Sequence, residues 1–196
     1  MVLSFVPKFL TMKKLLLFFF IPFISFSQND FREMNWGESS KILKEKYSET
    51  SFQKGVLDED TTIFSHIETV SGIDTRVVYY FTSDKFYGGL YLFEYNSYSR
   101  QDTDYLKDYL NVSARLNKKY DMNREDIWIN DTYKNRPNDL VFALRMSYVT
   151  LKQIGTNNNT LIKHSLERTE NKFIHKLSYS SATMMKKIQE STDDKF

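Results

Sequence analysis

Between Thr61 and Ser180 the hydrophobic pattern changes period several times, and each change marks an element. TTIFSHIETV (61–70) runs as a strand into Ser71-Gly72, a turn signal. TRVVYYF (75–81) and FYGGLYLFEY (86–95) flank TSDK, whose Ser83-Asp84 centre suits a tight hairpin. LVFALRMSYVTL (140–151) alternates strictly and predicts a strand. TLIKHSLE (160–167) and KFIHKLSYS (172–180) predict a second hairpin over Glu170-Asn171. Helical spacing occurs twice. Leu43 and Tyr47 share one face of a short helix over 40–49, with Ser39 or Ser40 as its cap. Leu106, Tyr109, Leu110, Ser113, Leu116 and Tyr120 line one stripe of a helix from about Asp102 to Asp121, with Ser99 and Asp102 as a capping-box variant. EDIWIN gives a short strand around Trp128, and Leu110 and Trp128 are expected in the core.

A simple two-residue turn at Ser83-Asp84 sets Phe81 opposite Phe86, Tyr79 opposite Gly88 and Val77 opposite Leu90. One face of that hairpin then holds Val77, Tyr79, Phe81, Phe86, Leu90 and Leu92, and the other holds Val78, Tyr80, Tyr87, Tyr91 and Phe93. The first set, carbon-only apart from Tyr79, belongs against the helices. Tyr80, Tyr87, Tyr91 and Phe93 form the candidate interaction face, because tyrosine buries area while keeping a polar tip in water.

The element order is helix, three strands, helix and about four strands, with Trp36 before the first helix and Trp128 after the second. This predicts the α+β class: an antiparallel sheet with two main helices packed on one face, arranged as a loose duplication of a helix-plus-three-or-four-strand unit. With one proline after residue 27 and no low-complexity run, residues 28–182 read as a single domain and 183–196 as a frayed polar tail.

MKKLLLFFFIPFISFSQ (12–28) changes the compartment. Two lysines precede twelve uncharged residues, Leu15 to Phe26, too few for the about 20 that a spanning helix needs. Small residues at Ser25 and Ser27 complete a secretory signal over residues 1–27, with cleavage between Ser27 and Gln28 and translation starting at Met12. The product is periplasmic or secreted, with no stable membrane anchor after cleavage. Removing the first 27 of 196 residues takes away three lysines and no acid, so the formal charge of +2 becomes −1. No electrostatic case for nucleic acid remains. The chain has no cysteine, which excludes thiol catalysis, thiolate metal sites and a lipid-anchored mature N-terminus.

Phe31-Arg32 followed by Trp36-Gly37-x-Ser39 and a short helix resembles the opening of a loose group of secreted bacterial proteins of unknown function. YYFTSDKFYGGLYLF (79–93) resembles their hairpin, and Lys119-Tyr120 followed by Trp128-x-Asn130 resembles their helix exit. The Phe-rich leader and the Ser-Gln junction look like those of Bacteroidota. The resemblance implies no activity. The layout is also similar to the assembly lipoprotein BamE, from which the missing cysteine departs, and to the β-lactamase inhibitor protein. Both are fold-level analogies.

The chemistry is sparse. The second hairpin sets His164 opposite Leu177 and His175 opposite Leu166, making the two imidazoles diagonal neighbours. No acid alternates onto their face, so a hydrogen-bonded, partly buried pair is expected rather than a zinc site. A calcium loop beginning at DMNRED (121–126) needs glycine at its sixth position and glutamate at its twelfth, which are Asp126 and Thr132 here. Phosphate loops, nucleophile elbows and helical zinc motifs are absent, so no catalytic, cofactor or metal residue is assigned. Two functional classes fit. One is a non-enzymatic binding or adaptor module of the cell envelope that meets a protein, peptide or glycan. The other is a periplasmic hydrolase with a site scattered over the sheet. The leader makes a direct prediction: N-terminal sequencing of exported protein should begin at Gln28, and recovery from the inner membrane with residues 12–27 attached would refute it.

Overall fold

The computed structural model describes residues 29–95 and 100–193, and the leader reading therefore lies outside the described residues. In chain order the elements are α1 (Ser40–Lys46), β1 (Gln53–Val56), β2 (Thr61–Val70), β3 (Ile73–Thr82), β4 (Lys85–Phe93), α2 (Asp102–Lys119), β5 (Asp121–Arg124), β6 (Ile127–Trp128), α3 (Leu140–Arg145), β7 (Val149–Asn157), β8 (Thr160–Thr169), β9 (Lys172–Ser181) and α4 (Ala182–Asp193). The nine strands form one antiparallel sheet in the order β1-β2-β3-β4-β9-β8-β7-β5, with β6 also on β7. The fold is α+β.

The sheet consists of two similar halves. Each has a helix, a four-residue edge strand and a three-strand meander: α1, β1 and β2–β4, then α2, β5 and β7–β9. The turns Ser71-Gly72 and Asn158-Asn159 are 87 residues apart (158 − 71), as are Ser83-Asp84 and Glu170-Asn171 (170 − 83). Ser83 and Asp84 have φ of 48° and 57°, and Glu170 and Asn171 have 49° and 63°. Both hairpins thus use the left-handed two-residue turn that matches strand twist. Within the sheet the halves are hydrogen-bonded through β4 and β9, from Gly88↔Ser180 to Phe93↔His175.

α1, α2 and α3 pack on one face. α1 buries Leu43 against Phe64, Val77, Tyr79, Phe81 and Phe86. Its first free amide is capped from the neighbouring hairpin, with Ser40 N–H donating to Asp84 Oδ1 at 3.0 Å, rather than by its own serines. α2 buries Tyr105, Tyr109, Val112, Ser113 and Leu116. Its capping contact is Gln101 N–H to Asp104 Oδ2 at 3.0 Å, two residues further on than expected, and Ser99 lies outside the described residues. The buried stripe is rotated from the predicted one, which leaves Leu110 47 % exposed. Trp128 is half-buried against the cluster of Tyr109, Leu144 and Leu151.

Three expectations are corrected. Residues 140–145 are helix, and the strand starts only at Val149. Pro137 opens a tight turn that feeds the helix, and Leu140, Ala143 and Leu144 satisfy a helical period as well as Leu140, Phe142 and Leu144 satisfy an alternating one. The tail predicted to fray, 183–196, is helical as far as Asp193. Asn159 Oδ1 accepts from both Thr183 N–H (2.9 Å) and Thr183 Oγ–H (2.7 Å) at its start. The third correction is the register of β3 and β4. Phe81 pairs with Phe86, but Tyr80 then pairs with Gly88, Tyr79 with Gly89 and Val77 with Tyr91. Tyr87 is the extra residue of a β-bulge, and beyond it every β4 side chain points opposite to expectation.

The bulge places Gly89 under the Phe31 ring, which lies against Tyr79, Phe86 and Tyr91; a Cβ on Gly89 would overlap that ring. Gly89→Ala should therefore lose about 1–3 kcal/mol of stability by overpacking. Leu144→Ala, in the fully buried part of α3, should lose about 2–5 kcal/mol. Leu110→Ala should stay within about 0.5 kcal/mol. Urea unfolding midpoints check all three.

Candidate functional site

The four residues of the expected interaction face are split by the bulge. Tyr80 and Tyr87 do lie together on the face opposite the helices, half-buried, with ring centroids 6.1 Å apart. Tyr91 and Phe93 turn inward: Tyr91 packs against Phe31, and Phe93 is buried with its ring 4.2 Å from His175. Leu90 and Leu92 take their places outside. Register adds Ile63 opposite Tyr80 and Ile67 opposite Arg76, the latter 55 % exposed. Beyond β4 the open face becomes polar. Lys152 of β7, Lys163 of β8 and Lys176 of β9 line a shallow depression of about 390 Å³ with Leu90, Ile127 and Ser178. Lys176 pairs with Glu167 at 3.1 Å and Lys152 with Glu125 at 3.7 Å, whereas Lys163 makes no ion pair among the described residues.

Two further polar clusters lie on the helix-covered face. His164 and His175 sit in the predicted diagonal register and are 0 % exposed, so they are more deeply buried than expected. Their Nε2 atoms are 2.7 Å apart. Tyr95 Oη lies 2.5 Å from His175 Nδ1, and Gln153 Oε1 and Ser113 Oγ lie 3.5 and 3.3 Å from His164 Nδ1. Gln153 Oε1 can only accept, and the proton order that satisfies it runs from ring to ring. His164 Nδ1–H donates outward, His175 Nε2–H donates to His164 Nε2, and Tyr95 Oη–H donates to His175 Nδ1. Tyr109 stacks on His164 at 4.3 Å. Burial pushes His164 down to about 3; burial and the neighbouring imidazole push His175 down to about 2. The Ser113–His164 contact joins a hydroxyl to an imidazole, but Ser113 is only 6 % exposed, and the other partners of the pair are Tyr95 and Gln153, not a carboxylate.

The second cluster is an ion pair. Arg32, at φ 56° in the tight turn closed by Phe31 and Met34, holds Glu68 through two bonds of 2.7 and 2.9 Å. Burial raises the Glu68 carboxyl, but the Arg32 hydrogen bond and charge outweigh it and leave it below the usual carboxylate value. His66 Nε2 is 3.3 Å from Glu68 Oε2, while its Nδ1 is buried with no partner among the described residues. No group of three or more His, Asp or Glu placed to hold a metal occurs among the described residues.

The chain matches no protein-family model, no curated protein and no solved structure. The Trp-Gly-x-Ser opening acts as a clasp. Trp36 stacks on Phe86 at 5.0 Å, its indole N–H donates to Thr160 Oγ1 at 3.1 Å, and Gly37 N–H donates to Phe86 O at 2.8 Å. It ties the chain start to both halves of the sheet. Sequence reasoning missed the lysine rows and the Tyr95 contact. Lys152, Lys163 and Lys176 all fall on the outward parity of their strands, a signal that needed only the strand order.

The imidazole pair makes stability depend on pH. Both folded pKa values lie below the about 6.5 of an unfolded histidine, so the unfolded chain binds more protons between about pH 6.5 and 3. Stability is complete above that window and is lost as pH falls through it. From pH 7 to 5.5, before carboxylates titrate, wild type should lose about 2 kcal/mol. His175→Gln should flatten the dependence. A pH-independent unfolding midpoint over that range would refute the buried neutral pair.

Proposed function

We propose that the chain is an exported, non-enzymatic binding module of the cell envelope, and that the open face of its sheet meets a protein partner. The observation that carries this reading is the division of that face. Ile63, Ile67, Tyr80, Tyr87, Leu90 and Leu92 make its apolar half. Lys152, Lys163, Glu167 and Lys176 make its charged half, in which Lys163 is the lysine without an ion pair among the described residues. An apolar centre bordered by charge is the composition of a protein-binding surface. These side chains are half-buried, Ile67 more exposed, and the apolar area they leave in water is grouped on one face, where a partner can cover it. A twisted sheet supported from behind by helices is stiff, so little side-chain and backbone freedom is lost on binding. Export is supported by the basic pair, the short apolar run and the Ser-Gln junction at the chain start.

The hydrolase reading finds less support. The imidazoles nearest a hydroxyl are sealed in the core, and the half-open cluster of Arg32, Glu68 and His66 is occupied by its own ion pair. The partner lies in the envelope, with an acidic group facing Lys163 and apolar groups facing Tyr80 and Leu90. Affinity capture from envelope extract tests this. Tyr80→Ser with Leu90→Ser should keep the wild-type unfolding midpoint within about 1 kcal/mol and lose the captured protein, and Lys163→Glu should weaken capture alone. Tyr91→Ser should instead destabilise the fold. Equal capture by wild type and the Tyr80/Leu90 variant would sink the proposal.

A further inference from the structure

The two halves of the sheet are each covered by their own helix, and the covering is incomplete where they meet. α1 has only seven residues and stays over β2–β4, while α2 lies over β8 and β9. Above the β4–β9 seam a cleft of about 250 Å³ remains open on the helix side. Tyr91 and Tyr179 form its floor, Leu116 and Tyr120 its wall, and Arg115 and Lys119 its rim.

We propose that this cleft binds a small aromatic carboxylate, with the ring between Tyr91, Tyr120 and Tyr179 and the carboxylate on Arg115 and Lys119. Several observations converge on that class. The rings of Tyr91 and Tyr179 are 6.3 Å apart at 80°, and those of Tyr120 and Tyr179 are 6.4 Å apart at 68°. A guest ring has edges and faces to meet, which favours it over an aliphatic chain. The three tyrosines are half-buried beside unfilled space, although tyrosines elsewhere on this face, such as Tyr79 and Tyr109, are fully packed.

The rim supplies the charge. Arg115 donates to Ser71 Oγ at 2.7 Å, and Lys119 lies 5.0 Å above the Tyr120 ring. Neither forms an ion pair among the described residues, whereas most arginines of this chain pair with an acid. Two unpaired cations over an apolar floor suit an anion with an apolar body. The floor does not repel it. Burial lifts Tyr91 to about 12 and Tyr179 further still, so both hydroxyls stay neutral at pH 7. The Glu68 carboxylate, which is felt at Tyr91, is already held by Arg32. Size limits the guest: 250 Å³ equals roughly eight water volumes, so a single ring with a short acid arm fills it.

The cleft lies on the opposite side of the sheet from the protein-binding face, so either reading can fail without the other. Calorimetric titration with 3-phenylpropanoate, its amide and hexanoate provides the test. The acid should bind saturably with a Kd on the order of 0.1 mM, the amide and hexanoate at least about tenfold more weakly. Arg115→Gln with Lys119→Gln should remove the preference for acid over amide while leaving the melting temperature unchanged. In wild type, ligand-induced NMR shifts should centre on Tyr91, Tyr120 and Tyr179, a readout that does not depend on the variant folding. No saturation by about 5 mM, equal binding of the amide, equal binding of hexanoate, or shifts centred elsewhere would each overturn the assignment.

Discussion

The parity of β4 governs what the rest of this molecule can be. Tyr87 enters the strand as one extra residue, and from Gly88 onward each side chain changes face. Gly89 then accommodates Phe31, Tyr91 and Phe93 look toward the helices, and Leu90 and Leu92 look away. Because β4 pairs with β9, the choice passes across the seam: Phe93 meets His175, and Tyr91 meets Leu177. Without the extra residue, leucines would lie over the imidazoles and the aromatic floor would be on the wrong side of the sheet.

The imidazole pair depends on that choice. Phe93 and Tyr109 close the two sides of a polar wire that runs from Tyr95 to Gln153. Such a wire is tolerable in a core because its donors and acceptors match in one direction. The arrangement specifies register as well. A slip of β8 against β9 would separate the two Nε2 atoms and leave both rings unsatisfied, a penalty that an all-leucine core would not impose.

Much of the fold could be read from local signals. Ser71-Gly72, Ser83-Asp84 and Glu170-Asn171 are turn pairs whose backbone preferences are intrinsic, so the hairpins and the His164/His175 register followed from the sequence. α2 was legible because eighteen residues give a period several turns in which to repeat. Residues 140–145 were not, since six residues of Leu, Val, Phe, Ala and Arg fit both periods and the deciding influence is the turn at Pro137. The bulge left a faint trace, Gly88-Gly89 directly after Tyr87, but glycines in a strand announce close approach without saying which residue is extra. The apolar face was therefore foreseen in composition and misplaced in membership. Tyr80 and Tyr87 stayed, and Tyr91 and Phe93 exchanged places with Leu90 and Leu92. β1 and β5 were missed because they are short, polar edge strands, whose pairing is set by a neighbour and not by their own pattern.

The single seam between the halves also orders the folding reaction in time. Within each half, every strand of the meander pairs with the one next to it in the chain, and closing such a hairpin fixes only a short loop. Joining Leu90 to Ser178 closes a loop on the order of ninety residues, the largest entropic step in the sheet. Local contacts form before distant ones reward their cost, so the two meanders are early structures and their encounter is late. The Trp36 indole, reaching Thr160 in the far half, can make its hydrogen bond only after that encounter. The tryptophan of the opening motif thus finds its last partner when the second half of the chain arrives.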